Sequence, residues 1–292
     1  MLWSVSLFFF FIVVVMQALW QRNYSRVSLL PETFPPTLSY LIALMPLSLI
    51  VGLIMPHHVT WSTWLIFLIV VEGGFIGVFN WLMFVALRLL PVAKFEMIFQ
   101  LYTIVVVVLG WVLLGEKLTT PQIIGGIVLF IAAYIAISAP RQNKSQLRKH
   151  ANKKGVLITL LAALTLGIGL VTEKAALNHM DTGAYFIFGF LSQTIALVIL
   201  ASKDVTKETI SRIKIEDIKQ STVMGILSAL VGFTYIISIQ LSNNISLVTM
   251  LSSFTLPLMV LAGYVFLHER ENMTRLWIAS GLGCAGLILA AL

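Results

Sequence analysis

Leu114-Gly115-Glu116-Lys117-Leu118 closes one long apolar run of this 292-residue chain, and Leu267-His268-Glu269-Arg270-Glu271 closes another. The two stretches lie 153 positions apart, 267 less 114. At that offset Gly110-Trp111 falls on Gly263-Tyr264 and Ala86-Leu87 on Ile239-Gln240. Beyond the Glu, one extra residue brings Ile124 onto Ile278 and Ala132 onto Gly286. Identity is low, but the pattern persists. A period near half the length, in a chain this apolar, reads as two structural repeats sharing one internal site.

Hydrophobic residues make up 59% of the chain and charged residues 11%, and the mean hydropathy is +0.98. A soluble domain is about one quarter charged, so this composition belongs to lipid. A helix needs about 20 residues to cross a hydrocarbon core. The spans read as 2–20, 37–55, 63–87, 92–114, 120–138, 155–175, 182–201, 221–241, 245–267 and 273–291. The runs are continuously apolar rather than alternating, which favours helices over a barrel. The expected fold is therefore an all-α membrane protein of ten transmembrane helices, forming one domain over 1–292. The first run has no basic n-region and no small-residue cleavage site before Arg22, so it reads as a span and not a signal peptide.

The Lys and Arg residues explain the net charge of +7. With spans crossing alternately, the segments 21–36, 88–94, 139–154, 202–220 and 268–275 share one face. That face carries all but two, Lys117 and Lys174, of the 19 Lys and Arg. By the positive-inside rule it is cytoplasmic and both termini lie outside. Charge sorted this way is a topology signal and not a nucleic-acid surface. The lone Cys284 excludes an intrachain disulfide.

The most polar stretch, Pro140 to Lys154, falls between the repeats. It divides the chain into a first five-helix repeat (1–140), a basic linker loop (141–154) and a second repeat (155–292). Five crossings are an odd number, so the second repeat enters the membrane in the opposite sense and the repeats are inverted around a central cavity. Val205, Ile210, Ile213 and Ile218 among charges read either as a short interfacial helix or as a solvated loop. Pro46, Pro91 and Pro257 mark places where a helix breaks or begins. Thr119-Thr120-Pro121 reads as the start of the fifth span.

Two five-span halves, each with a fourth span ending in Gly115-Glu116-Lys117 or His268-Glu269-Arg270, lead into a small-residue-rich fifth span such as Gln122 to Val128. This arrangement resembles the drug/metabolite transporter superfamily, EamA branch, over nearly the whole chain. The resemblance implies a ten-helix secondary carrier, a cavity walled mainly by spans one, three, four, six, eight and nine, and a peripheral fifth span in each half. It implies no particular substrate. Many relatives are drawn with cytoplasmic termini, whereas the charge count here places them outside, in a multi-pass protein of a bacterial plasma membrane.

An ionisable residue deep in a span is a functional candidate. Glu72 lies about 14 Å into span three at 1.5 Å per residue. It reads either as a proton-accepting or cation-binding carboxylate or as a hydrogen-bonded packing residue. Gly73, Gly74 and Gly77 beside it allow close approach, and Asn80 shares its face. In span four, Glu96, Gln100, Thr103, Val107 and Gly110 form one helical face. The offset maps Glu96 onto Thr249 and Gln100 onto Ser253, so two polar stripes face each other. Glu96 has a competing reading as a partner of Arg88 and Lys94.

Trp20, Trp81, Tyr102, Tyr185 and Tyr235 are candidate cation-π walls, Tyr235 foremost. Gln17 and the pair Glu173-Lys174 occupy similar places in the two repeats, the pair reading as a surface ion pair. Glu116 and Glu269 read as turn structure. The candidate substrate site is thus Glu72, Asn80, Glu96, Gln100, Tyr235, Ser253 and Gln17, with Glu72 also the coupling residue. No phosphate loop and no metal-ligand spacing is present in the sequence, so no cofactor, metal or catalytic set is expected. The expected function is secondary-active transport of a small polar, cationic or zwitterionic metabolite or drug, by a monomer or homodimer. A flippase for a lipid-linked sugar and a non-transporting scaffold or receptor are the alternatives.

Overall fold

In lipid, each backbone N–H and C=O needs a partner within its own segment, so long apolar runs become helices. The structure, a computed structural model, describes residues 2–115, 119–138, 146–242, 245–252, 254–268 and 273–291. Its helices are α1 (Leu2–Val27), α2 (Phe34–Ile54), α3 (Thr63–Leu89), α4 (Val92–Leu114) and α5 (Thr120–Ser138). They continue with α6 (Gln146–Leu177), α7 (Thr182–Ala201), α8 (Ile215–Ser242), α9 (Ile245–Ser252 and Thr255–Val265) and α10 (Met273–Ala291). Among the described residues, seven are long and apolar enough to cross a membrane; α5 and the second half of α9 contain shorter apolar helices. The turns at Glu116 and Glu269 fall outside the described residues.

The helix ends follow ordinary chemistry. Ser62 caps α3 by accepting from Leu65 N (3.0 Å). Pro91 is the N-cap residue of α4, and Ile123 N donates to Thr119 O (3.2 Å) at the start of α5. The basic stretch 141–154 is described from Gln146 onward and is there the first turns of α6. The charged stretch after α7 contains a 3-10 turn, Ser202–Asp204, and one short α-helix, Lys207–Ser211, while Ile218 already belongs to α8.

Three helices are irregular where they meet the interior. In α2 a π-helical turn, Tyr40–Leu44, precedes Pro46, which has no N–H to give the preceding turn. In α4 the ladder changes to three-residue spacing, with Leu101 N donating to Ile98 O (3.2 Å) and Thr103 N to Gln100 O (3.0 Å). In α9, Phe254 N donates to Leu251 O (3.0 Å) just before Pro257. The offset of 153 places Leu101 on Phe254, so the fourth helix of each repeat is interrupted at the same position.

Packing joins the halves rather than separating them. The pairs are α3 with α6, α1 with α8, α2 with α7, and α5 with α10. The largest apolar core draws on α1, α3, α4, α6, α8 and α9, from Phe10 and Leu87 to Val171, Ile239 and Met259. Outward faces carry Phe8, Phe67, Ile199 and similar side chains. The exterior is apolar, and polar groups gather inside.

Candidate functional site

A cavity of about 150 Å³ lies among the helices that build this core. It is lined from α1, α2, α3, α4, α6, α7, α8 and α9, and among the described residues by none of α5 or α10. Its walls are mostly apolar and aromatic, including Phe10, Phe79, Phe99, Tyr102, Phe190 and Tyr235. Its polar lining comprises Gln17, Tyr40, Asn80, Glu96, Glu173, Gln193, Ser228, Ser252 and Thr255, together with the two tyrosine hydroxyls just named. Among the described residues no Lys, Arg or His lines it. Two carboxyl groups in an aromatic chamber without a cation suit a positively charged or hydrogen-bonding guest.

One polar group is centred on α3, α6 and α7. Tyr185 Oη lies 2.7 Å from Glu72 Oε1 and 2.9 Å from Glu173 Oε2. Gln193 Nε2 donates to Glu72 Oε1 (2.6 Å). Tyr40 donates to Gln193 Oε1 (3.2 Å), and Asn80 Nδ2 donates to Tyr40 Oη (2.8 Å). Glycine lets α3 and α7 come this close: a Cβ on Gly73 would stand 2.1 Å from Ser192 Oγ, and one on Gly77 would stand 2.7 Å from Ala196 Cβ. Among the described residues, Glu72 Oε2 and Glu173 Oε1 are buried without a hydrogen-bond partner.

A second group is built at the breaks of α4 and α9. Gln100 Nε2 donates to Glu96 Oε1 (2.6 Å), and Thr255 Oγ1 donates to the same oxygen (3.3 Å). Tyr102 Oη and Ser252 Oγ are 3.0 Å apart, and Tyr235 Oη and Thr249 Oγ1 2.7 Å. Gln17 Nε2 donates to Ser228 Oγ (2.8 Å) across α1 and α8.

Of the sequence candidates, Gln17, Asn80, Glu96 and Tyr235 line the cavity. Glu72 and Gln100 stand one side chain behind it, bonded to lining residues. Ser253 lies outside the described residues. Arg88 pairs with Glu32 (3.6 Å), while Glu96 turns toward Gln100 and Thr255. Trp20 donates to Gln220 O (3.1 Å) away from the cavity, and Trp81 lies under Lys203. The surface reading of Glu173 is corrected: it is 4% exposed and bonded to Tyr185, because α6 runs inward against α3.

Sequence reading passed over Gln193, Tyr40, Ser252 and Thr255, whereas Ser228 shares the helical face that made Tyr235 a candidate. A usable signal existed for Gln193, a polar residue at the middle of an apolar span. It is also the repeat equivalent of Tyr40, 153 positions on, and the two are hydrogen-bonded to each other.

Interlocked helical halves, an apolar exterior and a polar chamber define a multi-pass integral membrane protein with a two-repeat architecture. The EamA-like transporter family model matches residues 2–138 and again 153–292, and the chain belongs to that family. A solved structure described as "Crystal structure of protein" has a TM-score of 0.68 at 15% identity, covering 99% of this chain and 98% of that one. That likeness concerns the fold alone. Comparison with curated proteins gives no match.

Proposed function

We propose that this chain is a secondary-active carrier for a small cationic or zwitterionic metabolite or drug, working by alternating access with proton coupling through Glu72. In this reading ten crossings form two inverted five-helix repeats, with both termini outside. The helix pairing supports it, since exchanging the halves turns the α3 and α6 contact into the α1 and α8 contact. So does the Tyr40 to Gln193 hydrogen bond. A residue can touch its own repeat equivalent only near the axis relating the repeats.

The observation that carries the function is the cavity itself, walled by both repeats, aromatic, and furnished with Glu96 and Glu173 but no cationic side chain among the described residues. Anionic cargo would meet carboxylates without a counter-charge. The test is thermal stability of the purified protein against amines, amino acids, nucleosides, sugars and sugar phosphates. A guest at 100 times its dissociation constant adds about 2.7 kcal/mol when it binds only the folded state. Amines are expected to stabilise, with the gain lost in Glu96→Gln. Stabilisation by sugar phosphates alone would sink the reading, and retention of a lipid-linked sugar through purification would favour the flippase.

A further inference from the structure

The hydrogen-bond inventory around Tyr185 does not close with the atoms of its ionised neighbours. A phenol has one hydrogen. Tyr185 Oη nevertheless lies within hydrogen-bond distance of two carboxyl oxygens, Glu72 Oε1 at 2.7 Å and Glu173 Oε2 at 2.9 Å. Gln193 Nε2 points at this hydroxyl too (3.4 Å) but supplies its short bond to Glu72 (2.6 Å). One of the two short oxygen contacts therefore needs a further hydrogen, carried by a carboxyl group that donates to the phenol oxygen. Each carboxyl also keeps one buried oxygen without a partner among the described residues, and that of Glu173 belongs to a residue of the cavity wall.

We propose that Glu72, Tyr185 and Glu173 form a one-proton site, and that a monocationic cargo exchanges with that proton at Glu173. This rests on the carrier reading above and sets the cargo's charge and the coupling ratio. The step balances simply. The cation enters the cavity, the O–H bond of the shared carboxyl breaks, its electron pair stays on the carboxylate oxygen, and the proton passes to water in the open cavity. The charge of the chamber is the same before and after. Without release, the cation would add a net charge to a poorly hydrated site; without a cation, release would leave two facing carboxylates ionised.

The groups facing this site are few. Tyr40 reaches it from α2 through Gln193, and Glu96 borders the same cavity from α4. Lys174 follows Glu173 along α6 and does not line the cavity. Glu72 stands behind Glu173 and Gln193 and holds the proton in place rather than meeting the cargo. Tyr185 is the positioning residue between them.

The experiment has two readouts on the full chain in lipid nanodiscs. Infrared difference spectra between acid and alkaline samples are expected to show one protonated-carboxyl band that is lost in Glu173→Gln and kept in Glu96→Gln. Tetramethylammonium and choline, whose quaternary nitrogens carry no proton, are then added to weakly buffered protein. Close to one proton released per cation bound is expected, with affinity falling roughly tenfold per pH unit on the acid side, as one-to-one competition requires. Tyr185→Phe, which keeps the ring, is expected to alter the pH profile while leaving the fold intact by gel filtration. Absence of the band, or cation binding without proton release, overturns the exchange and leaves the carrier reading standing. Binding of neither cation at any pH overturns the cationic cargo and the exchange with it.

Discussion

At the scale of single residues, a buried membrane helix is governed by how close its neighbours stand. Gly73 sits against Ser192, where a new Cβ would lie 2.1 Å from Oγ and 2.6 Å from the backbone carbonyl carbon. Backbone cannot step aside as a flexible side chain does. Gly73→Ala is expected to lower thermal stability by about 1–3 kcal/mol, the usual cost of overpacking. Gly74 is the internal control, with nothing within 4 Å of its would-be Cβ. Gly74→Ala should be neutral or stabilising by up to about 1 kcal/mol, because alanine loses less backbone freedom on folding. Equal losses in the two variants, measured by thermal unfolding in one detergent, would show that the close approach of α3 to α7 does not set the cost of a side chain at Gly73. The same scale explains the errors of sequence reading. Glu173 stands next to Lys174 near the end of α6, where an ion pair is the cheapest guess from local sequence. Its real partner, Tyr185, is 12 residues on, across a turn between helices.

At the scale of elements, helix positions were legible because the apolar runs have the length of a bilayer and end at caps. Spans four, five, seven and ten begin and end where expected. The start of α8 was not, since Glu216 and Asp217 look like loop. Acidic residues in a first turn complement the helix dipole, and Asp217 Oδ2 accepts from Lys214 N (3.1 Å) there. The break in α4 was hidden too, for no proline or glycine lies at Gln100, and only its counterpart near Pro257 leaves a mark in the sequence. The end of α4 shows how the two repeats diverged. Gly115 has φ 70°, and His268, its equivalent at offset 153, has φ 53°. Glycine adopts the left-handed region freely, while a side chain there costs about 1–2 kcal/mol. His268→Gly should therefore raise stability by about 1 kcal/mol, and Gly115→Ala should lower it by a similar amount. Opposite signs in thermal unfolding support matched left-handed turns in both repeats; a loss in both variants refutes the equivalence.

At the scale of the whole molecule, duplication and membrane residence were written in the sequence, but the way the halves interlock was not, since no local pattern says which helix of one repeat meets which helix of the other. The loop between α2 and α3 meets the loop between α6 and α7, one from each repeat. Val59 and Met180 form an antiparallel bridge. Thr60 N donates to His179 O (3.0 Å), Asp181 N to His58 O (3.0 Å), and His58 N to Asp181 Oδ2 (3.1 Å). Gly183 N donates to Pro56 O (3.1 Å). These few bonds, three of them backbone to backbone, join the two halves at the end of the bundle away from most Lys and Arg. If the repeats rock about the cavity, this clasp must part in each cycle. Paired residues in such a bridge have Cα atoms about 4.5–5.5 Å apart, within the span of a disulfide. With Cys284 changed to Ala, the pair Val59→Cys and Met180→Cys should form a disulfide on mild oxidation. Uptake of a probe amine into proteoliposomes should then stop, and a reductant should restore it. Each single-cysteine variant should be indifferent to oxidant. Undiminished uptake by the fully cross-linked protein would mean that the halves do not separate at this face, and alternating access by rocking about this cavity would have to be abandoned.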